Sequence, residues 1–199
     1  MNALAVKGLC KRYPAFSLEN VNFSVPEGAV MGFIGRNGAG KSTTLKGLLG
    51  LVHPDAGEVT VLGKSFREEE QYIKERIGVV LGGIDFYPKK KVRLLSDVTR
   101  RFYGNWQEEK YRHYLNLFGI DEEKRVDQLS TGMRVKYMIA LALSHDARLL
   151  ILDEPTSGLD PVSRDELTEL LRRIAADGQR SVLFSTHITS DLEKCASHI

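Results

Sequence analysis

Residues Gly35-Arg36-Asn37-Gly38-Ala39-Gly40-Lys41-Ser42-Thr43 follow the pattern G-x-x-x-x-G-K-S, the spacing of a loop that cradles phosphate. Its glycines are required because a Cβ there would block close approach of an anion or forbid the backbone angles of the turn. Backbone N–H groups of such a loop, and of the helix it opens, converge on one small volume and favour negative charge. Lys41 adds a mobile positive charge for terminal phosphates, and the Ser42 hydroxyl is a hard oxygen donor suited to Mg²⁺. The flanks distinguish this stretch from an ordinary glycine-rich turn. Upstream, Val30–Ile34 is a short apolar run of strand character; downstream, Leu45, Leu48, Leu49 and Val52 recur at the spacing of an amphipathic helix.

A second group of chemically capable residues lies near the C-terminus. Leu149-Leu150-Ile151-Leu152-Asp153-Glu154 reads as a buried strand that ends in two carboxylates. In open α/β sheets the carboxyl ends of strands face the crevice where ligands bind. Asp153 suits Mg²⁺, directly or through water, and Glu154 is placed to polarise a water for attack on a γ-phosphate. His187, after Phe184-Ser185-Thr186, is expected to emerge in the same crevice, whereas His53, His113, His145 and His198 read as structural or exposed histidines. Ser130 has the chemistry of an N-cap for a strongly apolar helix through Leu143, and such a helix end attracts anions.

These residues need a scaffold of strands and helices in alternation. Ala3–Gly8, Leu18–Val25, Glu58–Leu62, Ile77–Leu81 and Ser181–Ser185 read as further strands, with a turn at Pro26-Glu27-Gly28. His53-Pro54-Asp55-Ala56-Gly57 is expected to stop the first helix. Between about Lys91 and Ala147 the pattern becomes helical, with Val92–Tyr103 and Glu108–Phe118 broken by Gly104-Asn105 and Gly119; Ser163–Ala176 reads as another helix. The expected fold is an α/β phosphate-loop core with a mostly parallel sheet, N-terminal antiparallel strands and an inserted helical lobe. The expected organisation is one domain over residues 1–199, with core at 1–90 and 148–199 and lobe at about 91–147.

Composition narrows the partners. The 199 residues carry a net charge of +2 with 42% hydrophobic and 27% charged residues, ordinary values for a globular chain. No concentrated basic face points to nucleic acid; Lys89-Lys90-Lys91 reads as a solvated loop. Cys10 and Cys195 make neither a disulfide framework nor a zinc site, and read as reduced thiols of a cytoplasmic protein. No apolar stretch approaches the ~20 residues that span a bilayer, so a membrane role is expected to pass through a partner.

The whole arrangement resembles the nucleotide-binding domain of ATP-binding cassette (ABC) transporters, from Ala3 to about Ile199. The resemblance implies ATP held by Gly35, Asn37, Gly38, Ala39, Gly40, Lys41, Ser42 and Thr43 as the Walker A motif, with Tyr13 stacked on adenine. It implies Lys41, Glu154 and His187 as catalytic residues, the last as the switch histidine, and Ser42 and Asp153 around Mg²⁺. Leu129–Met133 is similar to the ABC signature, whose Ser130, Thr131 and Gly132 would reach the ATP of a second cassette. Ser157-Gly158-Leu159-Asp160 is similar to the D-loop. In the family two such domains pair head to tail, and their closing and opening drives transmembrane subunits. A permease partner, a second ATPase domain (identical or not), and a location on the inner face of the cell membrane are therefore implied, with no nucleic acid.

Two departures stand out. The strand Ile77–Leu81 is followed by Gly82-Gly83-Ile84-Asp85, where the family has a glutamine on Mg²⁺ that links the site to the permease; the contact would pass to water or to Asp85. Thr131 and Met133 replace the usual glycine and glutamine, and the L-S-T-G-M variant with Arg134 looks like the exporter branch that moves drugs, peptides or antibiotics. Family members usually continue with further strands after Lys194–Ile199, so a truncated or shortened chain is expected. Phe86-Tyr87-Pro88 lie where the family docks its membrane partner, although an exposed loop explains them equally. The competing expectation is a soluble or regulatory ABC-type ATPase with low turnover and no transport role.

Overall fold

The computed structural model describes residues 1–81 and 87–199. The expectations on Gly82, Gly83, Ile84, Asp85 and Phe86, including the missing glutamine, lie outside the described residues.

Two four-stranded sheets carry the fold. Strands β1 (Asn2–Tyr13), β2 (Phe16–Pro26), β4 (Ala56–Val61) and β5 (Lys64–Ser65) make an antiparallel sheet in the order β2-β1-β4-β5. Strands β3 (Val30–Ile34), β6 (Ile77–Val80), β7 (Leu149–Leu152) and β8 (Ser181–Thr186) make a parallel sheet in the order β3-β8-β7-β6. β7 and the middle of β8, Val182–Phe184, read as unbroken apolar runs because both faces of the sheet are covered. Leu149, Ile151 and Leu183 pack on one face with Leu45 and Leu48 of helix α1 (Lys41–Leu48) and the inner side of the antiparallel sheet. Leu150, Leu152, Val182 and Phe184 pack on the other, against helices α6 (Pro161–Ala175) and α7 (Thr189–Cys195).

Helix α1 is shorter than its apolar spacing suggests. It ends at Leu48, and Gly50 at φ 69° takes the left-handed turn that stops it, so Val52 falls beyond the helix. The pattern at Val92–Tyr103 likewise divides into α3 (Val92–Thr99) and a 3₁₀ turn at Arg100–Phe102. Two short helices, α2 (Glu70–Lys74) and α7, had no clear periodic signal.

A third buried cluster joins α3, α4 (Glu108–Phe118) and α5 (Thr131–Ser144) through Val92, Leu95, Tyr111, Leu115 and Tyr137. Helix α5 belongs to two clusters at once. Tyr137, Ala140 and Leu141 face this helical group, whereas Ile139, Ala142 and Leu143 pack on the parallel sheet. It is hydrophobic on nearly all sides for that reason.

His145 closes α5 where the helical group meets the sheet. Its ring stacks on Tyr103 with centroids 3.8 Å apart, and Nδ1 lies 3.2 Å from the Glu75 carbonyl. Burial pushes the imidazole down from 6.5 to about 4. The ring is therefore neutral in the folded chain while the unfolded chain takes up a proton between these values. Stability is complete above about pH 6.5 and falls as the pH drops toward 4, by about 3 kcal/mol over that window. Urea unfolding of the parent and of His145→Gln between pH 7 and 4 should show this slope in the parent and its loss in the variant.

Candidate functional site

The glycine loop runs between β3 and α1 and ends in left-handed glycines, Gly38 at φ 81° and Gly40 at φ 92°. A Cβ on Gly40 would lie 2.5 Å from Leu18 and 2.6 Å from Phe16, so only glycine closes this turn. Among the described residues no side chain caps α1, which leaves its first-turn N–H groups directed at the loop's interior. Ser42 and Thr43 stand half-buried in that first turn.

Lys41 folds back beneath the loop. It is only 7% exposed, and its Nζ donates to the carbonyls of Gly35 at 2.6 Å and Arg36 at 3.4 Å. Its Nζ also pairs with Glu154 Oε1 at 3.0 Å, though that oxygen lacks the alignment of a hydrogen bond. The other oxygen, Oε2, lies 2.8 Å from His187 Nδ1. Lys41, Glu154 and His187 thus form one continuous chain of polar contacts, assembled from segments after β3, β7 and β8. These strands are neighbours in the sheet, with Ile34 paired to Thr186 and Leu152 to Phe184, so their ends deliver the three side chains side by side.

Glu154 sits at φ 49°, a left-handed angle uncommon for a residue with a Cβ. Its backbone N–H donates to Ser185 Oγ at 2.9 Å, and Ser185 Oγ–H donates to Asp153 Oδ1 at 2.6 Å. One buried hydroxyl therefore fixes both carboxylate residues. Asp153 is 6% exposed at the end of β7, and its own N–H donates to the Val80 carbonyl. Sequence reasoning missed Ser185: a lone serine between an apolar strand and a histidine carries no spacing signal.

Other predicted residues stand apart from this chain. Tyr13, 42% exposed, stacks on Phe16 with centroids 6.5 Å apart, and Phe16 in turn packs beneath Gly40. Asp55 anchors that strand end by accepting from Lys11 Nζ at 2.8 Å and the Arg12 N–H at 2.7 Å, contacts that hold its carboxyl below the usual range. Ser130 caps α5 as expected, accepting from the Met133 N–H at 3.2 Å. A Cβ on Gly132 would touch Leu159 and Ser163 at 3.6 Å, so Thr131 and Gly132 border the turn that leads into α6. Asp160 caps α6 from that turn by accepting from the Val162 and Ser163 N–H groups, each at 3.0 Å. Among the described residues, no hydrogen bond or ion pair links Ser130, Thr131, Gly132 or Asp160 to Lys41, Glu154 or His187.

The family model described as ABC transporter matches residues 18–157, from β2 through the carboxylate pair. The chain belongs to the ABC transporter family. It is 35% identical to the bacitracin transport ATP-binding protein BcrA of Bacillus licheniformis, over 92% of this chain and 60% of that protein. It is 36% identical to the Nod factor export ATP-binding protein I of Burkholderia orbicola (strain AU 1054), over 95% of this chain and 64% of that protein. The chain thus spans less than two thirds of the length of these relatives. A solved ATP-binding subunit of an ABC transporter superposes with a TM-score of 0.84 at 30% identity, covering 98% of this chain and 83% of that one. The two-sheet arrangement and the glycine loop between β3 and α1 are those of this family's ATPase fold.

Replacing the Ser185 hydroxyl would leave two buried partners unsatisfied, the Glu154 N–H and Asp153 Oδ1. Ser185→Ala should cost about 2–4 kcal/mol, seen as a fall of roughly 5–10 °C in thermal midpoint. An unchanged midpoint would mean that water replaces the hydroxyl.

Proposed function

We propose that this chain binds and hydrolyses ATP as the ATP-binding subunit of an ABC exporter. The observation that carries the reading is the Lys41–Glu154–His187 chain beside the uncapped N-terminus of α1. A cation, a carboxylate and an imidazole at one anion-seeking helix end suit transfer of a phosphoryl group to water. The loop from Gly35 through Asn37, Gly38, Ala39 and Gly40 to Thr43 would hold the phosphates, with adenine on Tyr13. Lys41 would exchange Glu154 for the terminal phosphates. Glu154, released, would orient the attacking water and draw off its proton, while His187 would contact the γ-phosphate and hold the carboxylate in place.

The donors at hand also fit Mg²⁺. Ser42 and Asp153 offer hard oxygens, and the described residues hold no cluster of three or more His, Cys, Asp or Glu that would cage a metal without substrate. This is the donor set of an ion that keeps its waters and binds chiefly through phosphate oxygens. Bound there, Mg²⁺ would neutralise charge on the β- and γ-oxygens.

Ser130, Thr131 and Gly132, with Asp160 nearby, would serve the nucleotide of a second cassette. Residues 91–147 would form the helical lobe between the two parts of the core. No helix among the described residues is long and apolar enough to cross a membrane. On this reading a permease partner would hold the subunit at the inner face of the cell membrane. The Nod factor export name of one relative favours export as the direction of transport.

Two variants test the reading. Glu154→Gln should lower steady-state phosphate release by at least about a hundredfold while ATP binding stays as tight as in the parent or tighter, since Lys41 is then free. Hydrolysis at the parent rate would remove Glu154 from the mechanism. Lys41→Ala should weaken ATP binding by about tenfold or more in an equilibrium titration; equal affinity would count against the loop.

A further inference from the structure

Asp191 lies in the first turn of α7 and is fully buried, with 0% exposure. Its Oδ2 accepts from Thr156 Oγ1 at 2.6 Å and from Thr186 Oγ1 at 3.4 Å. Thr156 stands two residues after Glu154, and Thr186 immediately precedes His187. Thr186 Oγ1 also accepts from the Ile188 N–H at 3.0 Å, so the residues on both sides of His187 are tied to one hydroxyl. Among the described residues the other carboxylate oxygen, Oδ1, makes no hydrogen bond and faces Arg164 Nε at 3.9 Å, which is itself buried and has none there either. The same guanidinium reaches the Leu159 carbonyl through Nη2 at 3.5 Å.

This is a costly arrangement if stability were its purpose. A buried carboxylate loses several kcal/mol of hydration, and two hydroxyls with one offset guanidinium compensate it incompletely. Stability alone therefore does not explain a carboxylate at this place. The carboxylate does something a neutral group would do less well: it draws two hydroxyls, one from each segment that carries a candidate catalytic side chain, onto a single oxygen.

We propose that Asp191 is a positioning residue that sets Glu154 against His187, with Thr156 and Thr186 as its two ties and Arg164 as its counter-charge. The inference rests on the reading that Glu154 and His187 act on a bound triphosphate. It adds to that reading a residue touching neither nucleotide nor water, whose loss acts through the angle between two that do.

The test is Asp191→Asn in the full chain. Phosphate release at saturating Mg·ATP should fall by about tenfold to a hundredfold, the cost of a displacement of about 1 Å at a reacting group. KM and the equilibrium affinity for ATP should stay within about threefold, and the thermal midpoint within a few degrees. The His187 ring signal in nitrogen-detected NMR, identified by its loss in His187→Gln, should shift in the nucleotide-free protein. A parent rate with an unmoved His187 signal would overturn the proposal. The ring signal is read without nucleotide, so it still decides the positioning claim if the parent neither binds nor hydrolyses ATP, an outcome that would sink the ATPase reading alone. Should Asp191→Asn fail to fold, Thr156→Ser and Thr156→Val decide instead. Serine keeps the tie and should keep the parent rate, valine removes it and should not; equal rates in the two would overturn the proposal.

Discussion

A nearly buried lysine needs an anion, and much of this molecule answers that need. Lys41 is enclosed by the glycine loop, and the carbonyls of Gly35 and Arg36 give it partial solvation. Without a countercharge it would cost several kcal/mol to hold there ionised. Glu154 supplies that countercharge from the end of β7, across β8 from the loop, at a distance that satisfies Coulomb attraction but not hydrogen-bond alignment. A buried pair with poor alignment is easily traded for a better anion. On the proposed reading, the arriving phosphates take the lysine, and the carboxylate is left facing the position where an attacking water would stand. The resting contact and the active one then use the same side chain.

That exchange requires Glu154 to stay put when its partner leaves, and the local backbone explains how it does. A residue at φ 49° costs roughly 1 kcal/mol or more against its relaxed angles, so surrounding bonds must impose it. The Ser185 hydroxyl takes the Glu154 N–H and holds the angle, while Pro155, which favours extended backbone in the residue before it, adds to the cost of that angle. The sheet register makes this possible: Leu152 pairs with Phe184, which sets Asp153 and Glu154 beside Ser185 as both strands end. A slip of one residue would turn Ser185 and Asp153 to opposite faces.

The parts of this fold legible from sequence are those where burial or backbone geometry dictates composition. Val30–Ile34 and Leu149–Leu152 are bounded as their apolar runs indicate, because the faces of the parallel sheet are largely covered and a polar residue there needs a partner. The glycine loop is legible because its left-handed angles and the packing of Phe16 and Leu18 exclude side chains. Val52 misled because apolar spacing continued past Gly50, where backbone angle overrides side-chain pattern. Ser185, Asp191 and the dual packing of α5 were not legible. A single hydroxyl or carboxylate in a short polar run has no period, and its importance lies in contacts to residues some 30 positions away.

The N-cap of α5 keeps a hydroxyl donor to spare. Ser130 Oγ accepts from the Met133 N–H, a bond that uses a lone pair and leaves the hydroxyl proton free to donate. A hydroxyl proton at a helix N-terminus, flanked by Thr131 and Gly132, is suited to an anion. The chain's own phosphate loop makes no hydrogen bond or ion pair with it among the described residues. Gly132 instead packs on Leu159 and Ser163, tying this helix end to the turn that follows Glu154. If a second copy or related cassette brings its nucleotide to Ser130, the contact reaches Glu154 through that turn. Helix α5, packed on both the parallel sheet and the helical group, would pass the same displacement to each. One helix end would then report the partner's nucleotide to Glu154 and to the helical surface together.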